Sequence, residues 1–393
     1  MHSGAVFKEY SYVGEHIREL DPGVSHPLAL ELYRKMRHKP RDPQYLEIDD
    51  LDQAIYAELI PEFWGGHIGT TGQCFMVNGK GWVPLPQPLD TPGPVEWYHR
   101  TVLGIPRQFP VEWLREGVNE IRFTAGPQSK YNFNWGWYFL YAFTIRIYYT
   151  PNRLSTVDRI PAPLRIIQEN GETWFKDNPV FTLKSTDEAQ GLIQVDLIGN
   201  YYGFDYQGIN RFQGWHYAYE KGKLSRHIGS GEGPNYSLTW DTRLLPDQTG
   251  PVRIIPRYRY TNGFYCMGEV AEFWQHRRDK KLNMYPALSL PERFSVRAGQ
   301  LKSCTFYLPE LSATMQKAFI IIPSWSGTHC EEIRINNTVI AGPLGKEHDY
   351  SFDEVDIPLE SLKQGENTFT IYSTTEHHGI EINLPGPALF ILS

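Results

Sequence analysis

From Ala142 to Tyr149 the chain reads Ala, Phe, Thr, Ile, Arg, Ile, Tyr, Tyr. This alternation sets Phe143, Ile145 and Ile147 on one face of a strand and Thr144 and Arg146 on the other. Aromatic and β-branched side chains suit such a pleated, half-buried surface. Period-two patterning returns in "GLIQVDLIGNYYGFD" and in the strand-like runs that follow it, with no helix-length apolar period between them. The exception is "HPLALELYRKMRH", where Leu28, Leu32 and Met36 fall near one face and predict a short helix ended by Pro40 and Pro43.

The pattern also repeats over a long distance. "AELIPEFWGGHIGTTGQCFMVNGKGW" and "AFIIIPSWSGTHCEEIRINNTVIAG" both run apolar strand, Pro, Trp, Gly, His, strand, Asn turn, strand. Downstream, Leu114, Gly117 and Asn119 match Leu362, Gly365 and Asn367 with identical spacing. An ordered set of shared features is the signature of a duplicated unit. In each copy the glycine suits a turn with positive φ, and the asparagine can bond its own backbone as it launches the next strand. Asn78-Gly79 and Asn336-Asn337 read as tight hairpin turns. His67 and His329 occupy corresponding places in the two copies, which favours a role in the architecture over two separate active-site bases.

These motifs resemble the galactose-binding-like jelly roll, found as carbohydrate-binding and accessory modules, over residues 44–150 and 292–393. Between the copies, Trp240, Asp241, Thr242, Pro246 and Asp247 resemble the turn of bacterial immunoglobulin-like domains. The expected organisation is an all-β protein of three β-sandwich domains, two jelly rolls flanking an immunoglobulin-like sandwich. Residues 1–43 read as an arm with a short helix, 151–172 and 278–291 as linkers, and 173–277 as the middle sandwich with a long insertion. Long loops carrying their own aromatic residues are commonly functional.

Composition narrows the partners. Thirty-eight basic against 45 acidic residues give a formal net charge of -7, so no positive field is available to gather nucleic acid. No apolar run approaches the ~20 residues that cross a bilayer, so no membrane insertion is expected. The N-terminus shows neither a basic start nor an apolar core, and the sequence sets neither compartment nor oligomeric state. Cys74, Cys266, Cys304 and Cys330 lack metal-site spacing and read as free thiols. No cofactor fingerprint or hydrolase elbow occurs.

Two places gather candidate chemistry. In "NFNWGW", Trp135 and Trp137 would share a face on an extended backbone and could stack on a sugar ring, with Asn132 and Asn134 bonding its hydroxyls; the alternative is a lid on the core. In the insertion, Trp215, His216, Glu220 and His227 follow Asp205 closely. Glu220 as general acid, Asp205 as base or nucleophile, His216 orienting substrate, Trp215 stacking on it and His227 contacting it is the assignment to test. Strand alternation that merely buries the aromatics is the alternative. Glu376, His377, His378 and Glu381 could in principle ligate a divalent metal, but adjacent histidines point apart on a strand, and no metal is assigned. The leading expectation is a carbohydrate-binding protein. A glycoside hydrolase or polysaccharide lyase with its site at a domain junction comes second, and a structural or assembly protein third.

Overall fold

The computed structural model describes residues 2–393 apart from 21–42, 92, 131–135, 137, 158–164, 185–190, 234–235, 278, 312 and 377. The fold is all-β in class, several sheets packed into sandwiches, with one short helix, Asn152–Val157, among the described residues. The first nine strands are β1 Val6–Leu20, β2 Gln44–Ile48, β3 Ala54–Trp64, β4 Cys74–Val77, β5 Trp82–Pro84, β6 Thr101–Val102, β7 Arg107–Phe109, β8 Gly117–Thr124 and β9 Tyr138–Tyr149. Next come β10 Arg165–Gln168, β11 Trp174–Phe175, β12 Val180–Lys184, β13 Leu192–Tyr202, β14 Gln213–His216, β15 Ala218–Glu220, β16 Lys223–Ser225, β17 Gly229–Glu232, β18 Leu238–Thr239, β19 Val252–Tyr260, β20 Phe264–Met267 and β21 Ala271–Gln275. The last ten are β22 Leu282–Pro286, β23 Ser295–Val296, β24 Gln300–Leu308, β25 Lys317–Trp325, β26 Glu332–Ile335, β27 Thr338–Ala341, β28 Tyr350–Ile357, β29 Gly365–Ser373, β30 Ile380–Ile382 and β31 Ala388–Leu392.

The duplication is visible in the topology. One sheet of the first sandwich runs β2-β8-β4-β5, and its counterpart in the last sandwich runs β24-β29-β26-β27. Opposite them, β1-β9-β3 with β7 on β3 matches β22-β31-β25 with β28 on β25. The repeated asparagines explain the shared turn. Asn119 Nδ2 donates to the carbonyls of Arg115 and Gly117 while its Oδ1 accepts from Arg115 N–H, and Asn367 does the same with Lys363 and Gly365. Gly117 and Gly365 both hold φ at 86°, a conformation that favours glycine. A second asparagine locks onto the first in each copy: Asn78 Nδ2 donates to Asn119 Oδ1 at 2.8 Å, and Asn336 Nδ2 to Asn367 Oδ1 at 3.0 Å.

The N-terminal segment contributes a strand where the sequence suggested only an arm, and the helix expected near Leu28 falls outside the described residues. Strand β1 pairs with β9 on one side and β20 on the other, so one sheet runs from the first sandwich into the middle one. Its polar positions are balanced across that sheet. Glu9 accepts from Arg146 Nε at 2.9 Å and from Tyr219 OH at 2.5 Å, and it also pairs with Arg257. Arg146 in turn meets Glu58 at 2.7 Å, and Arg257 meets Asp196 at 3.0 Å. Burial alone would raise the Glu9 carboxyl, but the Arg257 and Arg146 guanidiniums hold it below the usual carboxylate range. Phe143, Ile145 and Ile147 enter the core as expected, whereas the face bearing Arg146 is also buried, because the middle insertion lies over it. The stretches expected as linkers carry strands as well, β10 in the first and β22 in the second.

Candidate functional site

The two copies of the module meet end to end. Strand β3 closes on Trp64 and β25 on Trp325, and these corresponding indoles stack with centroids 4.3 Å apart and planes 11° apart. Both indole N–H groups are used across the seam: Trp64 Nε1 donates to Glu381 Oε2 at 3.0 Å, and Trp325 Nε1 to Tyr141 OH at 3.0 Å. His99 Nδ1 lies 2.8 Å from the same Glu381 oxygen. Both buried indole N–H groups are thus satisfied by a partner from the other module.

Glu62, two residues before Trp64, joins three parts of the molecule. Its Oε1 accepts from Tyr350 OH of the last sandwich at 2.7 Å, and its Oε2 accepts from the backbone N–H of Lys221 in the middle insertion. Burial pushes its carboxyl up to about 7, and the bonds from Tyr350 and Lys221 only partly oppose that. Around the stacked indoles the rim becomes accessible. His67 sits edge-on to Trp64 at 5.8 Å, and His348 lies 5.7 Å from Trp325. His329 and His378 lie 6.1 and 4.6 Å from His348. Half-buried Trp97 carries the Lys130 ammonium 4.0 Å from its ring centre, and its carbonyl accepts from Arg293 N–H of the last sandwich. Burial lowers the pKa of His67, against a smaller opposing effect of Glu381.

The residues singled out in the insertion are each tied to a different neighbour. Asp205 is buried; its Oδ1 accepts from Gln207 N–H at 3.0 Å and its Oδ2 from Arg211 N–H at 3.1 Å, so it shapes the 205–211 turn. Burial raises its carboxyl to about 6 despite those bonds. His216 is buried with Nε2 2.8 Å from the Tyr201 carbonyl and its ring stacked on Tyr201, and burial lowers its pKa to about 4. Glu220 is half-exposed and accepts from Arg226 Nε at 2.8 Å. Trp215 packs against a cluster built around Phe7, Tyr148 and Tyr219, and His227 Nε2 lies 2.9 Å from Ser230 Oγ. The insertion does reach both flanking sandwiches, through Lys221 to Glu62 and through Arg226 over Phe352 at 5.3 Å.

Asn132, Asn134, Trp135 and Trp137 lie outside the described residues. The described ends of their loop, Lys130 and Tyr138, stand beside Trp97 and in the core. His377 is likewise not described, while Glu381 faces Trp64 and His99, and among the described residues no group of three His, Cys, Asp or Glu side chains is placed to hold a metal ion. Glu62, Trp97, His99 and Tyr350 were missed by sequence reasoning, and Glu381 was weighed there only as a metal ligand. The one available signal was the duplicated tryptophan, Trp64 and Trp325, which marks where the copies touch.

No protein-family model matches the chain, and no curated protein does. Among solved structures it is similar to a β-porphyranase of glycoside hydrolase family 86 from the human gut bacterium Bacteroides plebeius, at 12% identity and a TM-score of 0.24 over 60% of this chain. It is also similar to the BuGH86 protein in complex with neoagarooctaose, at 10% identity and a TM-score of 0.25 over 55% of this chain. The match spans 37% and 32% of those chains, about a third of their length, and similarity this low carries no argument about chemistry.

Proposed function

We propose that the protein binds carbohydrate at the rim of the seam between its two repeated sandwiches. The observation that carries this reading is the end-to-end meeting of the copies through Trp64 and Trp325, which gathers Trp97, His67, His329, His348 and His378 around one junction. Ring faces suit the apolar C–H surface of a sugar, and imidazoles suit its hydroxyls. The net charge of -7 disfavours a polyanionic partner. The shared strand order of the two sandwiches agrees with the resemblance to galactose-binding-like jelly rolls, and the middle sandwich is read as immunoglobulin-like. Trp135 and Trp137 belong to the segment that follows Lys130, whose ammonium lies over Trp97, and we retain them as stacking candidates with Asn132 and Asn134.

The test is retention of the full chain on an array of neutral glycans. Wild type should be retained, and Trp97→Ala should lower affinity at least tenfold, about 1.4 kcal/mol, with little change in melting temperature. Equal retention of the variant would place the site elsewhere.

A second reading, a glycoside hydrolase at the same junction, is favoured by one observation: Glu62 carries a raised carboxyl while Glu381 closes the same seam from the other copy. It stands beside the assignment of Glu220 as acid and Asp205 as base or nucleophile, in which backbone amides engage the Asp205 oxygens much as Tyr350 OH and Lys221 N–H engage Glu62. Turnover of an aryl glycoside by wild type, abolished in Glu62→Gln, would select this reading over simple binding.

A further inference from the structure

The last sandwich brings together histidines from three separate segments. His329 closes the single turn Gly327–His329 after β25, His348 precedes β28 and His378 precedes β30. Their ring centres stand 4.6, 5.8 and 6.1 Å from one another. Imidazoles this close repel one another once charged, so packing alone would be served better by apolar side chains. The backbone is nonetheless braced to make them meet. Ser326, which is buried, accepts from His329 N–H at its carbonyl at 3.1 Å and from His348 N–H at its Oγ at 2.9 Å. On the other side Ser373 Oγ donates to the His329 carbonyl at 2.7 Å, and Thr375 Oγ1, 2.8 Å away, donates to the His378 carbonyl.

The side chains thus held together have nitrogen to offer. The buried His329 Nε2 has no hydrogen-bond partner among the described residues. Glu347 Oε1 faces it from 3.6 Å and lies 3.9 Å from His348 Nδ1, so one carboxylate oxygen looks toward two imidazole nitrogens. In a tetrahedral zinc site, metal–nitrogen distances of about 2.0–2.1 Å set neighbouring ligand atoms about 3.3 Å apart and the ring centres about 5 Å apart. The three rings already keep close to that spacing, whereas as the side chains stand no three donor atoms converge closely enough to hold an ion. Small motions close the gap. Turning an imidazole about its soft Cβ–Cγ torsion redirects its nitrogens while leaving the ring centre nearly in place, and the Glu347 side chain, 64% exposed, can shift without disturbing the core.

We infer that His329, His348, His378 and Glu347 form a site for a first-row divalent cation of the zinc class, three neutral imidazoles and one carboxylate in a tetrahedral set. Imidazole ligands select such ions, whereas calcium and magnesium ask for oxygen ligands. The ion ties three loops of the last sandwich together beside the seam, and each ligating ring keeps its second N–H for a further bond. The inference goes beyond the carbohydrate reading and does not depend on it, because the ion alone is the ligand.

The experiment takes the full chain, stripped of metal with a chelator, and titrates it with zinc chloride alone in calorimetry near neutral pH. Wild type should bind one zinc per chain, His348→Ala and His378→Ala should each lower affinity at least about tenfold, and His276→Ala in the middle sandwich should leave it unchanged. Zinc should raise the melting temperature of wild type and of His276→Ala but not of the two cluster variants. Melting temperatures that agree without zinc separate loss of a ligand from unfolding, as expected for side chains that are exposed or half-exposed. Calcium or magnesium in place of zinc should give no binding heat. No zinc uptake by wild type, or uptake that either cluster variant keeps at full affinity, overturns the inference. A loss in His276→Ala equal to that in the cluster variants would make scattered surface histidines the binders and overturn it as well.

Discussion

The first sandwich is joined to its two neighbours by seams of opposite character. Toward the middle sandwich the joint is a continuous sheet, with β1 between β9 and β20 and a buried ladder of full charges, Glu58, Arg146, Glu9, Arg257 and Asp196. Toward the last sandwich the joint is end to end, with stacked indoles and hydrogen bonds that run through Tyr141, Tyr350 and a Glu62 carboxyl raised to about 7. The charged ladder is satisfied only as a set, since each guanidinium answers two carboxylates. The aromatic seam instead leaves its rim open to solvent and its acid half-titrated near neutrality. A rigid joint and a functional joint make different demands, and the difference can be tested by breaking each in turn.

The largest effect is expected at the charged seam. Glu9→Ala leaves two buried guanidiniums facing each other and should cost about 3–5 kcal/mol in denaturant unfolding, more than any single change at the aromatic rim. A loss below about 1 kcal/mol, the scale of a surface pair, would mean that the ladder is not buried in solution.

Next comes the pH response, in which the two seams should move in opposite directions. Glu62 binds its proton more tightly folded than unfolded, with a carboxyl near 7 against an unfolded value of 4.5, so its contribution is fully present below pH 4.5 and is lost as pH rises through 7. The swing is roughly 3 kcal/mol at about 1.4 kcal/mol per unit. Glu9, held below 4.5, contributes above that value and loses its contribution as pH falls. Melting temperature followed from pH 4 to 8 should therefore change slope in Glu62→Gln between pH 4.5 and 7 and nowhere else; an unaltered profile would remove Glu62 as the titrating group.

The smallest effect sharpens the same contrast. Tyr350→Phe removes one hydrogen bond to Glu62 and should cost about 0.5–1.5 kcal/mol, while raising the pH at which the Glu62 contribution is lost, because an interaction favouring the ionised form has gone. Chemical unfolding at pH 6 and 8 would read both, and an unchanged midpoint at either pH would disconnect Tyr350 from the carboxyl.

Much of the architecture was legible in the sequence because it is written locally. Leu114, Gly117 and Asn119 and their partners 248 residues later sit in one turn with one bonding pattern, and a positive φ with a side-chain amide cap leaves a readable spacing. The alternation at Phe143, Ile145 and Ile147 was readable for the same reason. Strand β1 was not, because Lys8 and Glu9 look like solvent-facing positions until Asp49, Arg146 and Arg257 arrive from distant segments to pair with them. The seam was hidden likewise: Glu62 and Tyr350, or Trp64 and Glu381, have no common spacing and meet only because two copies of a module face each other. In the insertion, proximity in sequence does not by itself give shared contacts: Asp205 accepts from the amides of Gln207 and Arg211, while His216 meets the Tyr201 carbonyl.

The most direct test of the central claim, a glycan site at the rim of the aromatic seam, is amide hydrogen exchange of the full chain with and without a retained neutral oligosaccharide. The account predicts added protection around residues 64–70, 95–100, 326–330 and 346–350, on both copies at once, while β1 and its charged ladder stay as they were. Protection absent from all four segments in the presence of bound oligosaccharide would contradict it.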